Sequence, residues 1–162
     1  MTTSKNTSME TELRKLLRNA ENGDASAQQF LGMLYSHGSK KHLLKQDGVE
    51  GAKWSRKAAE QGDADGQYDL AVAYRVGRGV PQDYVEALSW YRKAAEQGDP
   101  RAQVAVGEAY DTALGVRQDR AQALEWYRKA AEQGDNDAQE YFEGYRRIES
   151  TVKVRFTRRK KA

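Results

Sequence analysis

The sequence predicts an all-α fold, a solenoid of antiparallel helix pairs. Two observations predict it: a segment of about 36 residues recurs along the chain, and each copy carries two apolar stripes at helical spacing. A third is the hydrophobic content of only 38% in 162 residues, with a mean hydropathy of −0.95. Stacked repeats share a thin, continuous core, so this low content is typical of them.

A Gly-Asp pair marks the repeat. It recurs at residues 23, 62, 98 and 134, in steps of 39, 36 and 36 residues. Residues 87–99 return as 123–135 with a single difference, Ser89 against Glu125. We place the extra residues of the first step within 38–46, because Asp47, Asp83 and Asp119 are again 36 apart.

The second helix of each repeat carries an apolar stripe, which in the middle copy consists of Ala87, Trp90, Tyr91, Ala94 and Ala95. This i, i+3, i+4, i+7 spacing places them on one face, so we expect the recurring Trp and Tyr to pack in the core rather than to stack a ligand. We also expect the Arg and Glu four residues apart near the helix end to form surface ion pairs. These pairs are Arg56–Glu60, Arg92–Glu96 and Arg128–Glu132.

The ends of the second helix are also marked in each repeat. Asp47, Asp83 or Asp119 begins it, with an acid or amide three residues later, which predicts a reciprocal capping box. A glycine at residue 62, 98 or 134 ends it, since a residue without Cβ adopts the left-handed turn that closes a helix.

The first helix of each repeat is striped in the same way. Its middle copies read Gly66, Leu70, Ala73, Tyr74 and Ala102, Val106, Ala109, Tyr110. Small residues at positions 32, 71 and 107 predict close approach of a neighbouring helix, and glycines at 77 and 79 mark the turn into the second helix.

These motifs resemble Sel1-like repeats, relatives of the tetratricopeptide repeat, over about residues 24–149. The shared pattern is Ala-Gln-x-x-Leu-Gly/Ala-x-x-Tyr, then Gly-x-Gly-Val-x-x-Asp, then Ala-Leu-x-Trp-Tyr-x-Lys-Ala-Ala-Glu-Gln-Gly. The resemblance implies a right-handed solenoid of three helix pairs, at 24–61, 63–97 and 99–133. It also implies capping helices at 9–22 and 135–149, between a disordered N-terminus at 1–8 and a basic tail at 150–162.

Two segments depart from the repeat pattern. Residues 38–46 replace the short first turn with a longer, basic loop, and Ala113 stands where the pattern has a glycine. We expect the second departure to reshape the loop around it.

Composition and motifs argue against several classes of site. There is no Cys and there are two His, so neither a disulfide nor a thiolate metal site is expected, and we predict no metal and no cofactor. Gly77-Arg78-Gly79 lacks the residues of a phosphate loop, and no pair of acids breaks the repeat, so we predict no enzyme. Without an apolar run of transmembrane length or a signal-like N-terminus, we expect a cytoplasmic protein.

The predicted function is binding of a protein or peptide segment, as an adaptor or scaffold. Resemblance to tetratricopeptide arrays implies that the first helices line a concave groove, whose side chains vary from repeat to repeat. The predicted groove residues are Gln29, Met33, Asp65, Tyr68, Asp69, Val72, Arg75, Arg101, Val104, Glu108 and Asp111. An alternative is a neutralising, immunity-type partner of a bacterial effector, which some bacterial Sel1-repeat proteins resemble.

The C-terminal tail supports a second alternative, an accessory binder of nucleic acid or anionic lipid. Its basic residues are Lys153, Arg155, Arg158, Arg159, Lys160 and Lys161. Without them, 21 basic residues stand against 24 acidic ones in the rest of the chain, a net charge of −3. Residues 151–157 alternate apolar and basic types, which is typical of a strand added to a partner's sheet, and a solvated terminus is the other interpretation.

The last predicted helix carries Tyr141, Phe142 and Tyr145, which lack a following helix to cover them. We expect either that the tail folds back over these rings or that two chains form a homodimer there.

Overall fold

The computed structural model describes residues 2–39 and 44–159, with side chains described for 10–39 and 44–147. Eight helices lie in these segments: α1 Thr2–Glu21, α2 Ala25–His37, α3 Gly48–Glu60, α4 Ala64–Val76, α5 Tyr84–Glu96, α6 Pro100–Thr112, α7 Arg120–Glu132 and α8 Asn136–Arg159. They pack in sequential pairs, α2 with α3, α4 with α5 and α6 with α7, which confirms the all-α repeat fold. α1 packs on α2 at one end and α8 on α7 at the other.

The core is thin and follows the repeat. Leu31, Leu70 and Val106 occupy the same position in the three first helices, and each is completely buried. Between the helices of a pair the small residues act as predicted. A Cβ on Gly107 would lie 2.7 Å from the ring of Tyr127, so α6 and α7 approach closely only because that position has no side chain.

Tryptophan burial differs between the repeats. Trp54 is 7% exposed, but Trp90 and Trp126 are half-buried. A lysine three residues later covers each ring, with Lys93 Nζ 3.6 Å from the Trp90 ring centre and Lys129 Nζ 3.9 Å from that of Trp126. In both repeats the more deeply buried ring is that of the next residue, Tyr91 or Tyr127. In these two repeats the tyrosine, rather than the tryptophan, therefore occupies the core position of the second helix.

Asp83 illustrates how each second helix begins. Its carboxylate accepts hydrogen bonds from the backbone N–H groups of Val85 and Glu86, as the capping prediction requires. The reciprocal half of the predicted capping box is wrong, because the Asp83 N–H donates to the carbonyl of Tyr74, 3.0 Å away. That carbonyl belongs to the last turn of the preceding helix, where it has no intrahelical donor. Asp47 and Asp119 repeat the arrangement with the carbonyls of Tyr35 and Tyr110.

Each second helix ends in a left-handed glycine, as predicted. Gly98 has φ 98°, its N–H donates to Ala95 O, and the N–H of Asp99 donates to Ala94 O. These two bonds form a Schellman motif, which satisfies the last carbonyls of α5 and turns the chain directly into α6.

The expected reshaping of the turn at Ala113 does not occur. Ala113 adopts φ 60° and ψ 33°, close to the φ 70° and ψ 32° of Gly77 one repeat earlier. Its N–H donates to Ala109 O, as that of Gly77 does to Ala73 O. The third turn therefore keeps the shape of the second, at the cost of placing a Cβ in the left-handed region.

Buried glutamines tie adjacent repeats together. Gln103, 5% exposed, donates from Nε2 to Ala95 O at 3.2 Å and accepts at Oε1 from Gln133 Nε2 at 2.9 Å. Gln67 makes the equivalent bonds to Ala59 O and Gln97. Each amide thus links α6 to α5 and α7, or α4 to α3 and α5, and fixes the register of the stack.

Both ends of the chain depart from the predicted boundaries. α1 begins at Thr2, where the sequence predicted disorder over 1–8 and a helix only from residue 9. α8 extends to Arg159, so the backbone of 151–157 continues the helix and does not fold back over the preceding turns, while the interpretation as a strand added to a partner's sheet stays a prediction. A helix closes its hydrogen bonds within the segment, whereas a lone strand needs a neighbouring edge. The inserted loop is described only at its margins, where Ser39 and Leu44 exchange two backbone hydrogen bonds; residues 40–43 lie outside the described part.

Candidate polypeptide-binding face

The predicted groove residues belong to α2, α4 and α6, and we call the surface formed by these helices the groove face. α2 packs on α4, and long side chains connect α4 to α6 and α6 to α8. Gln29 Nε2 on α2 donates to Asp69 Oδ2 on α4 at 2.9 Å. Met33, Val72 and Val104 are half-buried on the same helices.

Arg101 is the most connected side chain of the groove face. Its guanidinium donates to the carboxylates of Asp65, on α4, and Asp99, which caps its own helix. The same group lies over the ring of Tyr68, 4.5 Å from the ring centre. Two carboxylates and one aromatic ring therefore hold a half-exposed cation, and the carboxylates raise its pKa further.

A second polar contact between α4 and α6 lies further along the groove face. Arg75 Nη1 lies 4.0 Å from Glu108 Oε2, and both side chains remain about two-fifths exposed. Tyr91, buried below them on α5, packs against Tyr68 with ring centres 5.6 Å apart. Exposed ion pairs of this kind contribute little stability, so a ligand can replace them at low cost.

Burial changes the pKa values of several groove residues. It raises the pKa of the Asp69 carboxyl, and the hydrogen bond from Gln29 opposes the effect only in part. Burial also raises the pKa of Tyr68, against the opposing charge of Arg101. In both groups the neutral form is favoured because the charged form would be poorly hydrated.

The groove face continues onto α8, which the sequence prediction missed. A further 36-residue step from Arg101, Ala105 and Glu108 leads to Asp137, Tyr141 and Gly144. These residues line an open depression of about 450 Å³ between α6 and α8, together with Asp111, Glu140 and Tyr145. A neighbouring depression of about 260 Å³ over α4 and α6 includes Tyr68, Arg75, Arg101, Val104 and Glu108. The periodicity that identified the first three helices would have identified these positions too, had it been applied to the capping helix.

Asp111 connects the predicted residues to this additional part. Its carboxylate accepts a hydrogen bond from the Tyr145 hydroxyl on α8. Burial, followed by the hydrogen bond and the charge of Asp111, raises the pKa of Tyr145 to about 12. Hydrogen bonds, ion pairs, ring contacts or shared depressions connect nine of the predicted residues, all except Met33 and Val72, along a surface that runs from α2 to α8. The role of this surface in binding stays a prediction.

The basic tail is described less fully. Lys153, Arg155, Arg158 and Arg159 belong to the helical backbone of α8, but their side chains lie outside the described part, and Lys160 and Lys161 lie outside it entirely. The expected contact of nucleic acid or anionic lipid with these residues stays a prediction.

Family comparison decides what kind of repeat this is. The Sel1 repeat family matches at residues 25–63, 64–99 and 100–135. The chain belongs to the Sel1 repeat family. Proteins of this family generally act as protein-interaction modules and are typically non-catalytic.

Solved Sel1 repeat structures share the fold. A Sel1 repeat protein from Oxalobacter formigenes is 41% identical with a TM-score of 0.73, over 82% of this chain and 98% of that one. The protein c5321, a protective antigen present in uropathogenic Escherichia coli strains, is 42% identical with a TM-score of 0.75, over 82% of this chain and 29% of that one. Helicobacter pylori cysteine rich protein B, 21% identical with a TM-score of 0.62 over 84% of this chain and 96% of that one, shares the fold alone. A search among curated proteins gave no match.

Two further observations concern the described residues of this Sel1 repeat protein. None of its helices there is both long and apolar enough to cross a membrane. Its described His, Asp and Glu residues do not form any group of three with the geometry to hold a metal ion.

Proposed function

We propose that this Sel1 repeat protein binds a polypeptide segment along the groove face. One observation carries the proposal: the side chains on this face change from repeat to repeat, while those buried between the helices recur. Successive repeats present Asp65, Arg101 and Asp137 at one position. At the buried position they keep Leu31, Leu70 and Val106.

The chemistry of the groove face suits a polypeptide. Half-buried rings and aliphatic side chains lie among exposed charges, and two shallow depressions adjoin along the helices. Such a mixture is typical of protein interfaces, in which aromatic and arginine side chains carry much of the binding free energy. An elongated partner would contact several repeats at once, and each repeat would bind a different side chain of the partner.

The proposal is tested by capture of partners from a native lysate. The bait is the full-length chain, compared with a double variant, Tyr68→Ala with Arg75→Glu. The matched control combines a truncation and the same charge reversal at exposed residues outside the depressions of the groove face, Val85→Ala on α5 with Arg117→Glu in the loop before α7. Circular dichroism checks that each variant keeps its helical content.

We expect the double variant to lose partners that the wild-type chain and the control both retain. If the double variant captures the same proteins as the control, the groove face is not the binding surface. A chain ending at Ser150, used in a nuclease-treated lysate, tests the alternative of binding through the basic tail. A protein that binds through its tail loses its partners when residues 151–162 are removed. Partners retained by that shorter chain and lost by the groove variant support the groove face.

A further inference from the structure

The depression between α6 and α8 has an aromatic floor. The ring of Tyr141 stacks on the buried ring of Tyr127, with centres 4.8 Å apart and planes at 23°, yet Tyr141 remains 43% exposed. Gly144, one turn further along α8, leaves open space, since a Cβ there would meet nothing within 4 Å. Part of a tyrosine ring is therefore accessible within a depression of about 450 Å³.

The rim of this depression is acidic. Asp137 and Glu140 on α8 are exposed, and within the described part of the chain neither side chain takes part in a hydrogen bond or an ion pair. Asp111 on α6 completes the rim, with its carboxylate bound to the Tyr145 hydroxyl. Negative potential thus converges on a ring over which no cation of residues 10–39 and 44–147 lies. Arg101, which lines the neighbouring depression with Asp137, is already bound to two other carboxylates.

The preceding repeat contains the same combination together with its cation. There the Arg101 guanidinium lies over the Tyr68 ring and donates to Asp65 and Asp99. This internal arrangement shows how the groove face holds a guanidinium, by a ring below it and carboxylates at its edge.

A shift of one repeat removes that internal cation. The residue 36 positions after Arg101 is Asp137, and the residue 36 positions after Ala105 is Tyr141. The last repeat thus gains a ring and a carboxylate and loses an arginine. Among the described side chains none places a cation over the Tyr141 ring, which leaves this position open to a cation from another molecule.

We propose that the α6–α8 depression binds the guanidinium of an arginine side chain on the bound polypeptide. The planar group stacks on Tyr141 and donates to Glu140 and Asp137. The inference rests on the proposed function and deepens it, because it specifies that the bound segment is basic where it crosses α8. The charge of the body, −3 over residues 1–150, complements such a segment.

The test uses the full-length chain and an octapeptide of alternating glycine and arginine with blocked ends. The same peptide with citrulline for arginine is the control, since citrulline keeps the size of the side chain and removes its charge. Backbone amide NMR signals follow the titration. We expect the arginine peptide to shift signals of α8 and the end of α6, and the citrulline peptide to leave them in place.

Single substitutions test which side chains of the depression bind the guanidinium. We expect Glu140→Gln and Tyr141→Leu each to weaken arginine-peptide binding by about threefold to fivefold, since an exposed ion pair or cation–π contact contributes up to about 1 kcal/mol, while Tyr141→Phe preserves it. The matched control is Glu86→Gln on α5, which removes the same charge from an exposed position away from the groove face and is expected to leave binding unchanged.

Three results would overturn the inference. One is equal binding of the citrulline peptide, and another is equal weakening by Glu86→Gln and Glu140→Gln. The third is a concentration-dependent dimer of the full-length chain that the chain ending at Ser150 does not form and that Glu140→Gln abolishes. In that case the occupant is the basic tail of a second copy.

The inference and the proposed function fail separately. If Tyr68→Ala with Arg75→Glu loses the native partner but Glu140→Gln and Tyr141→Leu keep it at full strength, only the arginine site is wrong. If the groove double variant keeps its partners, the proposed function fails, whatever the peptide titration gives.

Discussion

The Arg92 guanidinium donates a hydrogen bond to the Tyr110 hydroxyl, 2.6 Å away, and so joins the second helix of one repeat to the first helix of the next. Arg56 and Tyr74 make the same bond one repeat earlier, at 2.5 Å. The sequence had predicted that both arginines pair with the glutamates four residues later. The tyrosine hydroxyl is the partner instead, because it comes from the packed neighbouring helix, whereas a glutamate on the exposed side of the same helix stays in water.

The third repeat lacks this tyrosine, and its arginine pairs within its own helix instead. The residue 36 positions after Tyr110 is Arg146, which offers no acceptor to Arg128. Arg128 turns back to its own helix, with Nη2 2.8 Å from Glu125 and Nη1 3.6 Å from Glu132. Glu125 is the one residue that distinguishes this copy of residues 87–99 from the other, where Ser89 stands. The change at residue 125 thus supplies the partner that the change at 146 removes.

The first prediction concerns the link between Arg92 and Tyr110. Tyr110→Phe should lower the free energy of unfolding by about 1 kcal/mol, because it removes a charge-assisted hydrogen bond and keeps the packing of the ring. Tyr35→Phe is the matched control, since Tyr35 holds the same repeat position and the sequence has Leu17 where the other repeats have the arginine. Urea denaturation measures both, and equal losses would show that the hydroxyl bond to Arg92 contributes nothing specific.

The second prediction concerns the left-handed Ala113. Ala113→Gly should raise the free energy of unfolding by about 0.5–1 kcal/mol, because it relieves the Cβ strain of φ 60° and the turn already has the shape that glycine adopts at Gly77. Ala121→Gly, in the exposed first turn of α7, should instead destabilise by a similar amount. Thermal denaturation compares the two variants with the wild type. A loss of stability in both would mean that Ala113 is not strained.

The third prediction concerns the buried glutamine ladder. In Gln103→Glu a carboxylate oxygen takes the place of the amide nitrogen that donates to Ala95 O, so two oxygens face each other. The residue is only 5% exposed, so water cannot separate them. At neutral pH this should cost about 2 kcal/mol or more, because the buried carboxylate loses its hydration and its donor role. Burial should raise the pKa of this carboxyl, so the cost should shrink as the pH falls through the raised pKa and should reach its minimum at and below the ordinary pKa of a glutamic acid.

Gln139→Glu provides the control for that variant. Gln139 is 36 residues after Gln103 but is exposed on α8, so the same change should have little effect at any pH. Denaturation at pH 7 and pH 3.5 distinguishes the two sites. A penalty for Gln103→Glu that does not depend on pH would point to lost packing rather than to the buried charge.

Periodicity predicted the fold well, because each element is specified within its own repeat. The carboxylate caps, the closing glycines and the small residues between helices are all local features, and the structure confirms them. Periodicity failed where the partner lies on another helix. The tyrosine carbonyls that replace the capping-box side chains belong to the first helix of the same repeat, and the tyrosine hydroxyls that bind Arg56 and Arg92 belong to the next repeat. It also failed at Ala113, whose backbone follows the fold of the turn rather than its own preference.

The groove face was predictable in part for the same reason. Shifts of 36 residues identified its positions on α4 and α6, and Gln29, Asp69, Tyr68 and Arg101 are connected there as neighbours. The pairing could be predicted only in part, because Arg101 binds Asp65 at the equivalent position of the preceding repeat, while other contacts join non-equivalent positions of successive repeats. Gln29 aligns with Tyr68, yet it binds Asp69.

The last prediction concerns Asp69, whose carboxyl has a pKa raised above its ordinary value of 3.8 by burial. The folded state therefore binds the proton of this group more tightly than the unfolded state does. Stability due to this group is fully present below pH 3.8 and decreases as the pH rises through the raised pKa of the folded state. Asp69→Asn keeps an oxygen that accepts from Gln29 and removes the charge, so it should stabilise the protein at pH 7 and lose that advantage at pH 3.

Asp65→Asn is the control for this effect, because Asp65 pairs with Arg101 and is exposed. Removing its charge should leave stability unchanged or slightly lower it at pH 7, the opposite sign from Asp69→Asn. Urea denaturation at pH 7 and pH 3 measures both variants. A gain for Asp69→Asn that is equal at the two pH values would contradict a burial cost, since only an ionising group can make the difference depend on pH. The gain at pH 7 would show that the groove face retains a charge at the expense of stability, as a surface maintained for binding does.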